Sequence, residues 1–139
     1  MEIKEAKIEN AELILNLQKL AYISEAEILG DYNIPPLMQT LEDIIEEFNQ
    51  MLVLKAIVKD KIIGSVRAHL ENGTCFIGKL IVDPDHQNKG IGTKLMNEIE
   101  VRFKHAKRFE LFTSSKSQKN IYLYNFTKRP FNLLGGRIA

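Results

Sequence analysis

The stretch from Ile77 to Glu100, IGKLIVDPDHQNKGIGTKLMNEIE, constrains the fold more than any other part of the chain. Leu80, Ile81 and Val82 are strand formers, and Asp83-Pro84 must stop the ladder because proline has no N–H to donate. Gly90 and Gly92 then open an amphipathic helix with Leu95, Met96, Ile99 and Phe103 on one face. Between strand and helix, Gln87-Asn88-Lys89-Gly90-Ile91-Gly92 lets the backbone turn with its N–H groups facing one way at a helix start. Free amides at the positive end of a helix dipole make an anion site suited to a phosphate or pyrophosphate, and Lys89 adds a full charge. Two other phosphate motifs fit worse: G-x-x-x-x-G-K-[ST] is absent, and the third glycine slot of G-x-G-x-x-G holds Leu95.

Around this stretch the chain reads as one mixed α/β domain. Its 139 residues suffice for a single core. Glu2 to Lys7 alternates as a short strand. Leu13, Leu17, Leu20, Ala21 and Ser24, with Ile14 beside them, predict a helix from Glu9 to about Leu29, ended by Gly30-Asp31. Asp31 to Thr40, with two prolines, is expected to be a loop. Thr40 and Asp43 form a capping-box variant at the start of a second helix, with Leu41, Ile44, Ile45 and Phe48 as its apolar face. Leu52–Val58, Ile62–Leu70 and Thr74–Asp83 read as an antiparallel meander, with Lys59-Asp60-Lys61 and Glu71-Asn72-Gly73 as its turns. Phe109 to Thr113 is a fifth strand, parallel to the one ending at Val82 because a helix crosses over between them. Ser117 to about Asn125 reads as helical, with Ile121 and Tyr124 three apart.

Composition removes several function classes. A net charge of +1 gives no reason to expect nucleic acid or an anionic membrane as partner, because both need a clustered basic surface. The single cysteine, Cys75, beside Phe76 on a strand, reads as a small core residue, and no Cys/His cluster has metal spacing. The opening MEIKEAKIEN has no signal-peptide apolar run and no segment approaches membrane-spanning length, so a cytoplasmic location is expected.

In Val82, Pro84, Gln87, Gly90 and Gly92 the sequence resembles the GNAT superfamily of N-acetyltransferases, whose Q/R-x-x-G-x-G/A motif follows a strand ending V-x-P. The resemblance implies a mainly antiparallel twisted sheet with one splayed parallel pair, flanked by helices, and acetyl-CoA in the cleft. It implies that the backbone of Ile81 and Val82 holds the pantetheine arm. Gln87 fills the Gln/Arg slot, and the amides of Asn88, Lys89, Gly90, Ile91, Gly92 and Thr93 hold the phosphates. Asn120-Ile121-Tyr122-Leu123-Tyr124 is similar to the family's helix ending in Leu-Tyr, which makes Tyr124 the proton donor to the CoA sulfur. A phenol with a reference pKa of about 10 stays protonated at neutral pH and suits that role.

The implied reaction is direct transfer of acetyl to a primary amine, of a small molecule or a protein. Glu25, Glu27, His69 and Glu71 are the options for a base, and none is selected by the sequence. The resemblance covers residues 1–125. After Leu-Tyr the family continues K-x-G-F/Y and a closing hairpin, whereas residues 126–139, FTKRPFNLLGGRIA, form an atypical tail. An incomplete hairpin would leave a sheet edge for a second copy to complete, giving a homodimer. A non-catalytic CoA-binding or regulatory module is the alternative reading, and a nucleotide-binding protein using the same amides is a weaker one.

Overall fold

A computed structural model of the chain describes residues 1–112, 121–125 and 129–130. The meander lies at its centre as β2 (Leu52–Val58), β3 (Lys61–Glu71) and β4 (Thr74–Val82). Both of its turns hold paired left-handed residues: Lys59 and Asp60 at φ 51° and 66°, then Asn72 and Gly73 at φ 52° and 82°. Two such residues in succession make a primed turn, whose twist matches that of the flanking strands. β1 (Glu2–Glu5) pairs antiparallel with β2.

β5 (Arg108–Phe112) lies parallel to β4, as the helical crossover requires. β6 (Ile121–Asn125) and the two-residue β7 (Arg129–Pro130) complete a sheet whose order follows the chain. The helix expected over Ser117–Asn125 is therefore corrected for its last five residues: Ile121 to Asn125 form a strand antiparallel to β5. Ile-Tyr-Leu-Tyr is rich in strand-forming side chains, and β5 without β6 would present an unpaired edge. Ser117 to Asn120 lie outside the described residues, as do 126–128 and 131–139 of the tail.

The helices divide between the two faces. α4 (Ile91–Arg102) packs Leu95, Met96 and Ile99 onto Leu54, Val66, Ala68, Cys75 and Ile77, forming an apolar core. On the other face lie α1 (Ala11–Leu29), the single turn α2 (Pro35–Met38) inside the expected loop, and α3 (Leu41–Gln50). The Thr40–Asp43 capping box forms as the sequence predicts, with each side chain accepting from the other's backbone N–H.

The expected stripe on α1 holds only in part. Leu17 is buried, but Leu13 and Leu20 are 59% and 49% exposed, and the helix turns Ala11, Ile14, Leu15 and Gln18 inward. Leucines and isoleucines surround this helix too evenly for periodicity to select a face.

Candidate functional site

β4 carries the site because its two edges are used differently. Its pairing with β5 ends at Ile77 opposite Leu111, whereas its pairing with β3 runs on to Val82 opposite Gly64. From Gly78 to Val82 the strand therefore has no β5 partner among the described residues. Asp83 donates its N–H to Ile63 C=O at 2.8 Å, which fixes the phase of this end. By strand alternation Ile81 turns its backbone groups toward β3, while Leu80 and Val82 turn theirs to the open edge.

A bulge interrupts the strand just before this point. Ser65 pairs with Ile81 and Arg67 with Gly78, so Val66 faces two residues, Lys79 and Leu80. Lys79 takes φ 51°, a left-handed conformation that a lysine rarely adopts. The bulge separates the neighbouring side chains: Lys79 borders a cavity on the α3 side of the sheet, and Leu80 borders a depression on the α4 side.

The second depression, about 400 Å³, is lined by Leu80, Val82, His86, Gln87, Asn88, Gly90, Ile91, Gly92 and Thr93. Asp83 shapes its rim: the carboxylate accepts from Asp85 N–H at 2.8 Å, and the Asp83 carbonyl accepts from His86 N–H. Asn88 and Gly90 then adopt φ 65° and 80°, and Gly90 caps α4 with no side-chain bond. The first bond of α4 runs from Lys94 N–H to Gly90 C=O, so the preceding amides of the helix start have no intrahelical acceptor. A Cβ on Gly90 would meet nothing within 4 Å, and one on Gly92 only Leu80 Cδ2 at 3.9 Å. The space above the glycines is open, and a helix N-terminus faces it. The residues present fit a diphosphate followed by a thin arm along the open edge of β4.

The cavity on the α3 side, about 360 Å³, is lined by Glu47, Met51, Arg67, His69, Glu71 and Phe76 to Lys79. Its back wall is a hydrogen-bonded cluster that the sequence reading missed. Arg67, 1% exposed, donates to Glu47 Oε1 at 2.7 Å and to Gln18 Oε1. Gln18 donates in turn to Pro36 C=O and Gln39 Oε1, and Gln39 donates to Glu47 Oε2. Burial pulls the Arg67 guanidinium below its ordinary range, an effect that Glu47 opposes. Arg67 Nε and His69 Nδ1 are buried without a partner among the described residues. The signal was present: in Ser65-Val66-Arg67-Ala68-His69, strict alternation assigns three polar residues to one face.

Acetyltransferase (GNAT) family is the description of the family model that matches residues 14–126. The chain belongs to that family. A relative from Bacillus subtilis (strain 168), UPF0157 protein YqkA, is 31% identical over 124 residues; the match covers 89% of this chain and 35% of the relative, so the chain spans about a third of its length. Among solved structures, a PaiA N-acetyltransferase from Thermoplasma acidophilum in complex with coenzyme A superposes with a TM-score of 0.67 at 18% identity, covering 80% of this chain and 77% of that one. A GNAT acetyltransferase from Brucella melitensis in complex with acetyl-CoA gives 0.60 at 20% identity, covering 80% and 74%. These likenesses show the GNAT fold, mixed α/β with a splayed parallel pair, and acyl transfer is the chemistry of the family.

Within that fold, Val82, Gln87, Asn88 and Gly90 to Thr93 come together at one depression; Lys89 is not part of its lining, and Ile81 lies buried beside it. Tyr124 falls on β6, in register with Phe109, and Tyr122 is in register with Leu111 at the last β4–β5 rung. Cys75 is buried in the core and its thiol is pushed up to about 12 by burial, which suits packing rather than nucleophilic attack. Among the described residues there is no metal-ligand cluster and no helix long and apolar enough to cross a membrane.

Proposed function

We propose that the chain transfers an acetyl group from acetyl-CoA to a primary amine. One observation carries the reading: the edge of β4 that no described residue of β5 pairs, Gly78 to Val82, runs directly into the start of α4, whose first amides have no intrahelical acceptor. A ligand with a diphosphate at one end and an amide-bearing arm at the other matches both surfaces. The amides of Asn88 to Thr93 receive the diphosphate, with Gln87 and Lys89 at its border. The arm pairs with the open edge at Val82, and Ile81 supports it from the β3 side. Acetyl-CoA supplies the thioester acyl group.

The cavity behind the bulge is the acceptor's entry, since it opens where β4 loses β5. An alkylamine has a pKa of roughly 10 and must lose a proton before it can attack. The departing thiolate must gain one, and Tyr124 is the donor in this reading. The register of Tyr122, level with the last rung before the gap, makes it the residue against which to compare Tyr124.

Thermal stabilisation by CoA and acetyl-CoA beyond that given by ATP and NAD tests the cradle, and free-thiol release across an amine panel tests transfer. Protection without thiol release would favour the non-catalytic CoA-binding module; stronger protection by ATP or NAD would favour nucleotide binding. Tyr124→Phe should lower kcat about 100-fold with little change in CoA affinity, the scale of a lost general acid. Should Tyr122→Phe produce that loss while Tyr124→Phe does not, the donor is Tyr122.

A further inference from the structure

We propose that Lys79 is a site of self-acetylation, its Nζ taking the acetyl group from bound acetyl-CoA. The inference rests on the acetyl-CoA reading above and deepens it by naming an amine of the chain itself as acceptor.

The geometry of the bulge motivates it. Lys79 and Leu80 share one position opposite Val66, and their side chains border cavities on opposite sides of the sheet. The open backbone edge that would hold the arm of CoA starts at the same residues. Successive Cα atoms are 3.8 Å apart, and a lysine carries its amine on a flexible four-carbon stem. A thioester that reaches the α3 side through the gap beside Gly78 and Lys79 would therefore lie within the sweep of that stem. Holding nucleophile and acyl group together in this way replaces an encounter in solution.

The surroundings favour the reactive form of the amine. Lys79 is half-buried, and Met51, Phe76 and Ile77 supply apolar walls to its cavity. The charged and titratable groups facing it are Glu47 of α3 and Arg67, His69 and Glu71 of β3. Glu47 holds the lysine in its charged form, but that carboxylate is bound to Arg67 at 2.7 Å, and Arg67 itself repels the ammonium. Burial is the largest influence, and the Lys79 amine is lowered from its ordinary value. It becomes neutral, and hence nucleophilic, at a lower pH than a solvated lysine does.

The step balances without another reagent. Neutral Nζ attacks the thioester carbonyl carbon, the N–C bond forms and the C–S bond breaks. One Nζ proton ends on the CoA sulfur, leaving an uncharged acetyl-lysine and free CoA. The product removes a cation from the mouth of the cavity.

The test incubates the full chain with acetyl-CoA alone and maps the modified lysines by peptide mass analysis. Lys79 should gain one acetyl group at least about tenfold faster than the exposed Lys19 and Lys59, through proximity alone. Excess CoA should suppress that labelling, and Lys79→Arg should abolish it. A second measurement needs no CoA: competitive labelling with trace acetic anhydride should show Lys79 titrating below Lys59. Labelling of Lys79 no faster than Lys59, while acetyl-CoA still protects the chain thermally, overturns this inference and leaves the cofactor reading standing. Equal titration of the two lysines likewise overturns it. Absence of thermal protection by either CoA or acetyl-CoA would remove the cofactor reading and this inference together.

Discussion

Leu95 packs onto one face of β3 and Arg67 projects from the other, both fully buried, and they are held in place by different physics. Leu95 lies in an apolar cluster with Val66, Ala68, Ile77 and Ile99, where shape and burial do the stabilising. Arg67 lies among Gln18, Gln39 and Glu47, where a charge taken from water is stabilised only by the partners placed around it. The apolar face tolerates any well-shaped hydrophobe. The polar face works only as a set, and that set ties α1, α3 and the segment after α2 to β3 at the back of the cavity behind the bulge. The face that must admit a polar acceptor is thus the one built from polar groups.

The largest expected effect breaks this contrast on the polar side. Glu47→Ala leaves the Arg67 guanidinium buried without its carboxylate and should cost about 3–5 kcal/mol of stability, read by urea unfolding. Replacing the pair together, Arg67→Met with Glu47→Leu, should recover part of that loss, because no charge is then desolvated, while Gln18 and Gln39 lose the partners that Arg67 and Glu47 gave them. A double variant no more stable than Glu47→Ala would mean that the cluster is held by more than its ion pair.

The second prediction probes the other face. Leu95→Ala removes a fully buried side chain that reaches β3, and should cost about 3 kcal/mol through lost burial and the cavity left behind. No single polar substitution nearby should restore it. The contrast to be measured is rescue by a partner change on one face and none on the other.

That contrast also explains what could be read from the residues alone. Leu95, Met96 and Ile99 lie close in sequence at helical spacing, and Val66 and Ala68 alternate along a strand, so local pattern suffices for the α4 face. The cradle was legible for the same reason: Pro84, Gly90 and Gly92 each act on their own backbone within one short stretch. The polar cluster joins positions 18, 39, 47 and 67, and no local periodicity links a glutamine on one helix to an arginine on a distant strand. The bulge at Lys79 was equally silent, because a non-glycine residue at positive φ carries no compositional signal. Ile121 to Asn125 failed differently: their tyrosines fit the family's helix, while the pairing needs of β5 made them a strand.

The smallest effect sharpens the comparison where the polar face begins. Thr40 caps α3, the helix that delivers Glu47 to Arg67, and its hydroxyl accepts from Asp43 N–H at 3.1 Å. Thr40→Ala should cost about 1 kcal/mol, the usual scale of a lost N-cap. The reciprocal bond, Thr40 N–H to the Asp43 carboxylate, lowers the Asp43 carboxyl from its ordinary value, chiefly through that backbone N–H and then through the Thr40 side chain. A carboxylate favoured in the folded chain contributes stability that is present above its unfolded pKa and lost as pH falls through the folded one. The difference in urea midpoint between Asp43→Asn and the parent should therefore be full at neutral pH and shrink in acid. A difference that stays constant down to pH values where carboxylates are protonated would show that the side chain acts at this cap by shape alone. The loss from Thr40→Ala should also stay well below that from Glu47→Ala, since a frayed first turn leaves the last turn of α3, and the carboxylate it carries, in place.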